Sequence, residues 1–256
     1  MKNLIFIKIG GSLITKNTPY TANLRNIREI SREIKKIRKK YKVKLLLGNG
    51  VGSFAHFSAQ KFKVKEGYLN EKSKLGHCQV QNDASIINRI FVKELIKVGE
   101  RAISVQPSTF LFLENGRVKA SFLEPLKNYL KNDLVPVVFG DILADKKRGC
   151  YIFSTEKIFN FLAQKLNPKK IIFLTKAKGV LDQKGKLIPK ISQENFFKIK
   201  KFLKKTKKID VTGGMEHKVK EALEMADRKR EIFILGLKKG NLEKCIRGER
   251  VGTKIV

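Results

Sequence analysis

The sequence predicts an α/β fold: a mostly parallel sheet covered by helices on both faces. Three observations predict it. Short apolar runs alternate with helix-spaced patterns almost from end to end. The runs are continuous and rich in β-branched and aromatic residues, as in strands buried on both faces. Three glycine turns punctuate the chain, and in an open α/β sheet such turns fall where ligands bind.

The strands and helices follow in order. Leu4–Ile9 is the first apolar run, and Asn23–Tyr41 reads as a helix with Leu24, Ile27, Ile30, Ile34 and Ile37 on one stripe. Val43–Leu47 reads as a second strand, opening into the glycine turn Gly48–His56 and a segment that can be helical. Asp83–Val98 is helix-spaced, Ala102–Val105 strand-like, and Leu111–Ala120 a hairpin around Asn115-Gly116. Leu134–Phe139 reads as a strand in which Pro136 marks a start or an edge. Helix Glu156–Leu166, strand Lys170–Leu174, a small hairpin Leu181–Leu187, helix Gly214–Lys229 and strand Glu231–Leu235 complete the chain. No repeat, low-complexity segment or linker interrupts it, so residues 1–256 read as a single domain. If there are two lobes, the sequence marks no boundary between them.

The chain has 256 residues, enough for a sizeable core, and no apolar stretch near the ~20 residues of a membrane span. No signal peptide is legible, and three cysteines without paired spacing indicate neither a disulfide framework nor a zinc site. A cytoplasmic setting is expected. The formal charge is +33, from 56 Lys and Arg against 23 Asp and Glu. Such a field attracts polyanions. The densest runs, Lys35–Lys40 and Lys198–Lys208, are interleaved with apolar residues as on the wet face of an amphipathic helix. A solvated surface is favoured over specific nucleic-acid binding.

Three elements carry chemistry. Lys8-Ile9-Gly10-Gly11-Ser12 puts a lysine and a glycine pair at a strand end. The turn Gly48-Asn49-Gly50-Val51-Gly52-Ser53-Phe54-Ala55-His56 presents backbone N–H groups and then a titratable donor. Asp210-Val211-Thr212-Gly213-Gly214-Met215 precedes Lys218, which falls one turn into a helix starting near Gly214, while Asp210 can orient a lysine. Taken singly, each is equally a tight turn with a surface lysine or a capped helix. Neither a P-loop nor a dinucleotide-binding glycine fingerprint is present. Two lysines, glycine amides and a histidine around one cavity suit phosphoryl transfer, in which a protein mainly positions groups and stabilises spread negative charge.

These motifs, with Gly140-Asp141 after a strand, resemble the amino acid kinase superfamily. Within it, Gly52–His56 and Asp210–Met215 are most similar to isopentenyl phosphate kinases, and the likeness runs from Lys8 to Thr253 in consistent order. The resemblance implies an αβα sandwich around an open, mostly parallel sheet. It implies a homodimer, with an acceptor-binding N-terminal half and a nucleotide-binding C-terminal half. The implied reaction moves the γ-phosphoryl group of Mg·ATP onto isopentenyl monophosphate in isoprenoid biosynthesis, with Mg2+ carried by ATP and no protein metal site. Lys8, Lys16, His56, Asp210 and Lys218 are then the catalytic set. Gly50, Val51, Gly52, His56 and Glu156 hold the acceptor. Lys8, Gly10, Gly11, Ser12, Gly52, Thr175, Gly179, Gly213, Gly214 and Lys218 hold the nucleotide. An acceptor that is itself a phosphate monoester explains a histidine at 56. Ile86, Ile87, Ile90, Phe91 and Phe110 are candidates to wall its apolar tail, although their spacing is that of ordinary core.

Four positions depart from the family pattern. The lysine expected at 17 is Asn17, with Lys16 one residue early as its replacement. Ser-Gly-Asp-Asp becomes Ser154-Thr155-Glu156-Lys157, and Thr-Asp-x-Asp-Gly becomes Thr175-Lys176-Ala177-Lys178-Gly179. The histidine that often opens the glycine turn is Asn49. A phosphonate acceptor of the fosfomycin type is therefore an alternative. So is a catalytically impaired nucleotide- or polyanion-binding member of the family.

Overall fold

A computed structural model describes residues 3–203, 214–227 and 230–256. The elements run β1 (Leu4–Ile9), α1 (Gly11–Ile14), α2 (Leu24–Tyr41), β2 (Lys44–Asn49), α3 (Gly52–Lys61), α4 (Glu71–Lys97) and β3 (Ala102–Ser104). There follow β4 (Leu111–Glu114), β5 (Arg117–Ser121), α5 (Glu124–Lys131), β6 (Val135–Phe139), β7 (Asp141–Asp145), β8 (Gly149–Phe153) and α6 (Thr155–Leu166). The last third holds β9 (Lys170–Thr175), β10 (Lys190–Ile191), α7 (Gln193–Leu203), α8 (Gly214–Met225), β11 (Glu231–Gly236), α9 (Asn241–Ile246) and β12 (Thr253–Ile255).

The main sheet has eight strands in the order β10-β12-β11-β9-β1-β2-β6-β3. Its pairings are parallel except β11 with β12. Alternate strand residues feed two cores. Leu4, Phe6, Leu46, Ile171, Phe173 and Ile234 pack with Leu126 of α5, Phe159 of α6, Ile199 of α7 and Ala222 of α8. Ile5, Ile7, Ile9, Leu45, Leu47, Ile172 and Leu235 pack with the Ile27–Ile37 stripe of α2, with Ile87 and Phe91 of α4, and with Leu242 of α9. The sandwich expected from the uninterrupted apolar runs is thus present, because such a strand must cover both faces.

A second sheet, β5-β4-β7-β8, stands apart. The hairpin at Asn115-Gly116 is present, both residues taking positive φ (49° and 72°) as a type I′ turn needs. The Leu181–Leu187 hairpin is a single antiparallel bridge, its Asp182 carboxylate accepting the Lys184 and Lys186 N–H groups. Pro136 lies at the start of β6, before pairing with β2 begins at Val137, so its missing N–H breaks no bond on that side. The β7–β8 hairpin was not read from the sequence. Asp145 organises it by accepting N–H groups from Asn115, Gly116, Lys147 and Arg148 at 2.7–3.2 Å.

Two helices differ from expectation. The helix expected over Asp83–Val98 begins at Glu71, capped by a reciprocal pair between Asn70 and Ser73. Its first turns are mostly polar, so hydrophobic periodicity fades there, and Gly76 packs against Phe62 and Val64. The helix expected over Gly214–Lys229 ends at Met225, and Asp227 already bridges to Arg230 on the way into β11. Among the described residues no helix is long and apolar enough to cross a membrane.

Candidate active site

Alternation along β1 decides where Lys8 points. Leu4 and Phe6 face the core beneath α6, so Lys8, two residues on, faces the same side near the C-terminal end of the strand. There it is 4% exposed, and its Nζ lies 2.5 Å from Oε1 of Glu156 in the first turn of α6. Ser154 caps that helix by accepting the Lys157 N–H, and Thr155 Oγ1 donates to the Asn49 carbonyl at 2.8 Å. The helix start is thereby tied to the end of β2. Burial raises the Glu156 pKa, but the neighbouring Lys8 and Lys218 charges prevail and hold the carboxyl below its ordinary value. Glu156 therefore stands as the anion between two lysines.

Lys218 sits one turn into α8, as expected, and its Nζ donates to the Gly214 carbonyl at 3.3 Å. Gly214 opens the helix at φ +65° with open space where a Cβ would stand. His217 beside it is lowered in pKa by burial, which outweighs the opposing pull of Glu156. Asp210 and Gly213 lie outside the described residues.

The first two glycine turns touch backbone to backbone. A Cβ on Gly11 would lie 2.5 Å from the Gly52 nitrogen, and one on Gly50 would lie 2.6 Å from the Gly11 nitrogen. The Gly10 and Gly50 N–H groups donate to Leu174 and Ile9 carbonyls at 2.9 Å, locking the strand ends together. Gly52 takes φ +51° with its missing Cβ filled by Thr15 Oγ1, so no other residue fits without displacing that threonine. Thr15 in turn donates to the Gly11 carbonyl and accepts the Ser53 N–H. Val51 precedes α3, and Ser12 lies exposed in α1. His56 is half-buried on α3, four residues after Gly52 and so on the face of that turn.

Lys16 is exposed in a loop pinned by its own N–H to Thr21 and by Ser53 Oγ to the Thr18 carbonyl. The backbone of the loop is held against α3, and the lysine side chain extends from it into solvent.

On the expected nucleotide side, the Thr175 hydroxyl lies within bonding distance of the Ala177 and Leu235 carbonyls, at 2.9 and 3.2 Å. Gly179 is buried with Leu187 and Thr253 where a Cβ would go. Both residues shape the loop after β9, and packing alone accounts for a glycine at 179. Lys176 and Lys178 are exposed.

Most of the candidates for an apolar wall sit in ordinary core, as their spacing suggests. Ile87 and Phe91 are fully buried beneath the sheet, Ile90 packs on the same core, Phe110 belongs to the opposite core, and Ile86 is exposed. They line no common surface, because α4 turns its isoleucine stripe to the sheet. The apolar cluster bordering the histidine helix is different: Ala55, Val80, Ala84, Phe139, Ile142 and Cys150, with Val51, Ala59 and Ile152 packed against it. Its small residues at 55, 59 and 84 signal a helix pair in close approach, a pattern that periodicity alone does not distinguish from core.

Among the described residues, no group of three His, Cys, Asp or Glu side chains could hold a metal ion. Asp141, next to Gly140, is 2% exposed and pushed by burial up to about 6. It accepts the Ser108 and Ile142 N–H groups, a positioning duty inside the fold.

The model of the amino acid kinase family matches residues 3–236. Isopentenyl phosphate kinase of Methanocaldococcus jannaschii is 34% identical, over 98% of both chains. The enzyme of that name from Methanothermobacter thermautotrophicus is 30% identical, also over 98% of both. A solved structure of an isopentenyl phosphate kinase superposes with a TM-score of 0.83 at 26% identity, covering 98% of this chain and all of the other.

Proposed function

The chain belongs to the amino acid kinase family, and on that premise we propose that it transfers the γ-phosphoryl group of ATP to isopentenyl phosphate, releasing isopentenyl diphosphate and ADP. The observation that carries the reading is the buried Lys8–Glu156 pair with Lys218 beside it, at the rim where the first two glycine turns meet. Relatives matching 98% of the chain bear the corresponding name.

The chemistry asks little of a base. An alkyl monophosphate has a second pKa of about 6, so near pH 7 its oxygen is already an anion and a competent nucleophile. The obstacle is repulsion between that dianion and the ATP phosphates. Lys8 and Lys218 offset it, and Glu156 keeps both lysines aimed into the site. His56 donates to the acceptor phosphate, assisted by the Val51 and Gly52 amides of the glycine turn. The acceptor oxygen forms a bond to the γ-phosphorus as the bond to the β,γ-bridging oxygen breaks, and ADP leaves in line. Glu156 is already engaged by Lys8, and no carboxylate cluster exists among the described residues. Mg2+ accordingly fits as an ion carried on nucleotide oxygens and water, where it would neutralise phosphate charge.

On this proposal the acceptor lies on the N-terminal half, the nucleotide lies on the C-terminal half, and the protein acts as a homodimer. The test is ADP release with purified protein across isopentenyl phosphate, longer prenyl monophosphates, fosfomycin and N-acetylglutamate. Isopentenyl phosphate giving the largest kcat/KM supports the proposal. Preference for the phosphonate or the carboxylate, or no ADP with any of them, overturns it.

A further inference from the structure

A buried amide chain ends on the glycine turn. Asn49, the last residue of β2, is fully buried, as is Asn88 in the middle of α4. The Asn88 Nδ2 donates to Asn49 Oδ1 at 2.8 Å and to the Val137 carbonyl at 3.3 Å. Asn88 Oδ1 accepts from Ser104 Oγ at 2.6 Å, and Asn49 Nδ2 donates to the Gly50 carbonyl at 3.3 Å. One helix residue therefore reaches the ends of β2 and β3 and the middle of β6 together. Two fully buried amides are costly unless satisfied, so this chain does more than fill space.

Its geometric consequence falls on the next peptide. The Gly50–Val51 peptide is planar and trans, so its C=O and N–H point in opposite directions. Drawing the Gly50 carbonyl toward the Asn49 amide sends the Val51 N–H the other way. The preceding peptide is fixed independently: the Asn49 carbonyl accepts from Thr155 Oγ1 and the Gly50 N–H donates to Ile9. We infer that Asn88 is a positioning residue which, through Asn49, aims the Val51 N–H at the acceptor phosphate. This rests on the reading that the Gly50–Gly52 turn holds that phosphate. It also gives the departure at Asn49 a purpose: a short amide, already oriented from α4, holds the turn from behind.

The test uses Asn88→Asp, which keeps size and the Ser104 contact but removes both Nδ2 donors. Backbone amides of 15N-labelled protein are followed during titration with inorganic phosphate. The Val51 amide should shift in the parent chain and lose most of that shift in Asn88→Asp, with the Lys218 amide responding to phosphate in both. In turnover, the acceptor KM should rise about tenfold while the ATP KM stays within about twofold, a split that general loosening does not produce. Should Asn88→Asp fail to fold, Ser104→Ala, which frees the Asn88 amide to rotate, should reduce the Val51 shift partially. A Val51 amide unmoved by phosphate in the parent chain, or shifting equally in the variants, overturns the inference. A parent chain whose Val51 responds to phosphate but which leaves isopentenyl phosphate unphosphorylated supports the positioning role and refutes only the proposed acceptor.

Discussion

Glu156→Gln separates what the Lys8–Glu156 pair does for folding from what it does for chemistry. The side chains of both partners are under 10% exposed and the ions are 2.5 Å apart. Removing the carboxylate charge leaves Lys8 buried at 4% exposure beside a neutral amide. Breaking one side of a buried pair costs about 3–5 kcal/mol, whereas replacing both ions by neutral groups is often close to neutral. Glutamine retains one acceptor oxygen, so the lower end, about 3 kcal/mol, is expected for Glu156→Gln. The double variant Lys8→Met/Glu156→Gln should recover most of that loss. Activity should not recover: losing the aimed lysine removes charge stabilisation of the order of 10²–10³ in kcat, about 2.7–4 kcal/mol. The assays are urea unfolding and steady-state ADP release with both substrates saturating. A Glu156→Gln chain with kcat within threefold of the parent would refute the reasoning. So would a double variant as destabilised as the sum of the two single ones.

The other predictions test separate parts of the account. His56→Ala should lower kcat/KM for the acceptor roughly 10- to 100-fold, the loss of a hydrogen bond to a charged group, with the ATP KM little changed. Equal losses for both substrates would remove His56 from the acceptor side. Gly11→Ala drives a Cβ to 2.5 Å from the Gly52 nitrogen, a backbone atom that cannot swing aside. Overpacking of this kind should destabilise by about 2 kcal/mol and lower Tm by about 4–8 °C, measured by calorimetry. Glu221 gives a pH test. Burial first, then Glu224, pushes its carboxyl from 4.5 up to about 7, and its Oε2 is buried without a hydrogen-bond partner. Because the folded pKa is the higher one, the unfolded chain loses its proton first as pH rises, so Glu221 subtracts stability progressively between about 4.5 and 7. Glu221→Gln should match the parent near pH 5 and exceed it at pH 8 by on the order of 1–2 kcal/mol after solvent screening is allowed for. A Tm difference independent of pH contradicts this.

The layers of the fold were legible because parallel strands leave a strong trace. Leu4–Ile9 and Lys170–Thr175 are buried at every position; the first reads as an apolar run interrupted only by Lys8, the second as one flanked by Lys170 and Thr175. The short strands β10 and β12 were not legible, since two or three residues carry no period and their pairing is decided by tertiary contacts. The β7–β8 hairpin escaped because Asp145 fixes it from within a strand, where an aspartate argues against one. Within the site, Lys8, Gly10, Gly11, the Gly48–His56 turn and Lys218 could be read from glycine spacing and chain direction. The partner of Lys8 could not. Glu156 lies 148 residues away, and only the stacking of α6 over β1 brings the two together. The same holds for Asn88 and Asn49, 39 residues apart, whose types in a helix and a strand end give no sign that one supports the other.

The central claim is that this rim moves a phosphoryl group onto a phosphate. It is tested most directly by 31P NMR of a single reaction mixture containing the protein, Mg·ATP and isopentenyl phosphate. The monoester resonance should be replaced by a coupled pair of diphosphate resonances, in step with conversion of ATP to ADP and at least 100-fold slower with Lys8→Met. ADP and inorganic phosphate appearing while the monoester signal persists would contradict the claim, as would diphosphate formation undiminished by the loss of Lys8.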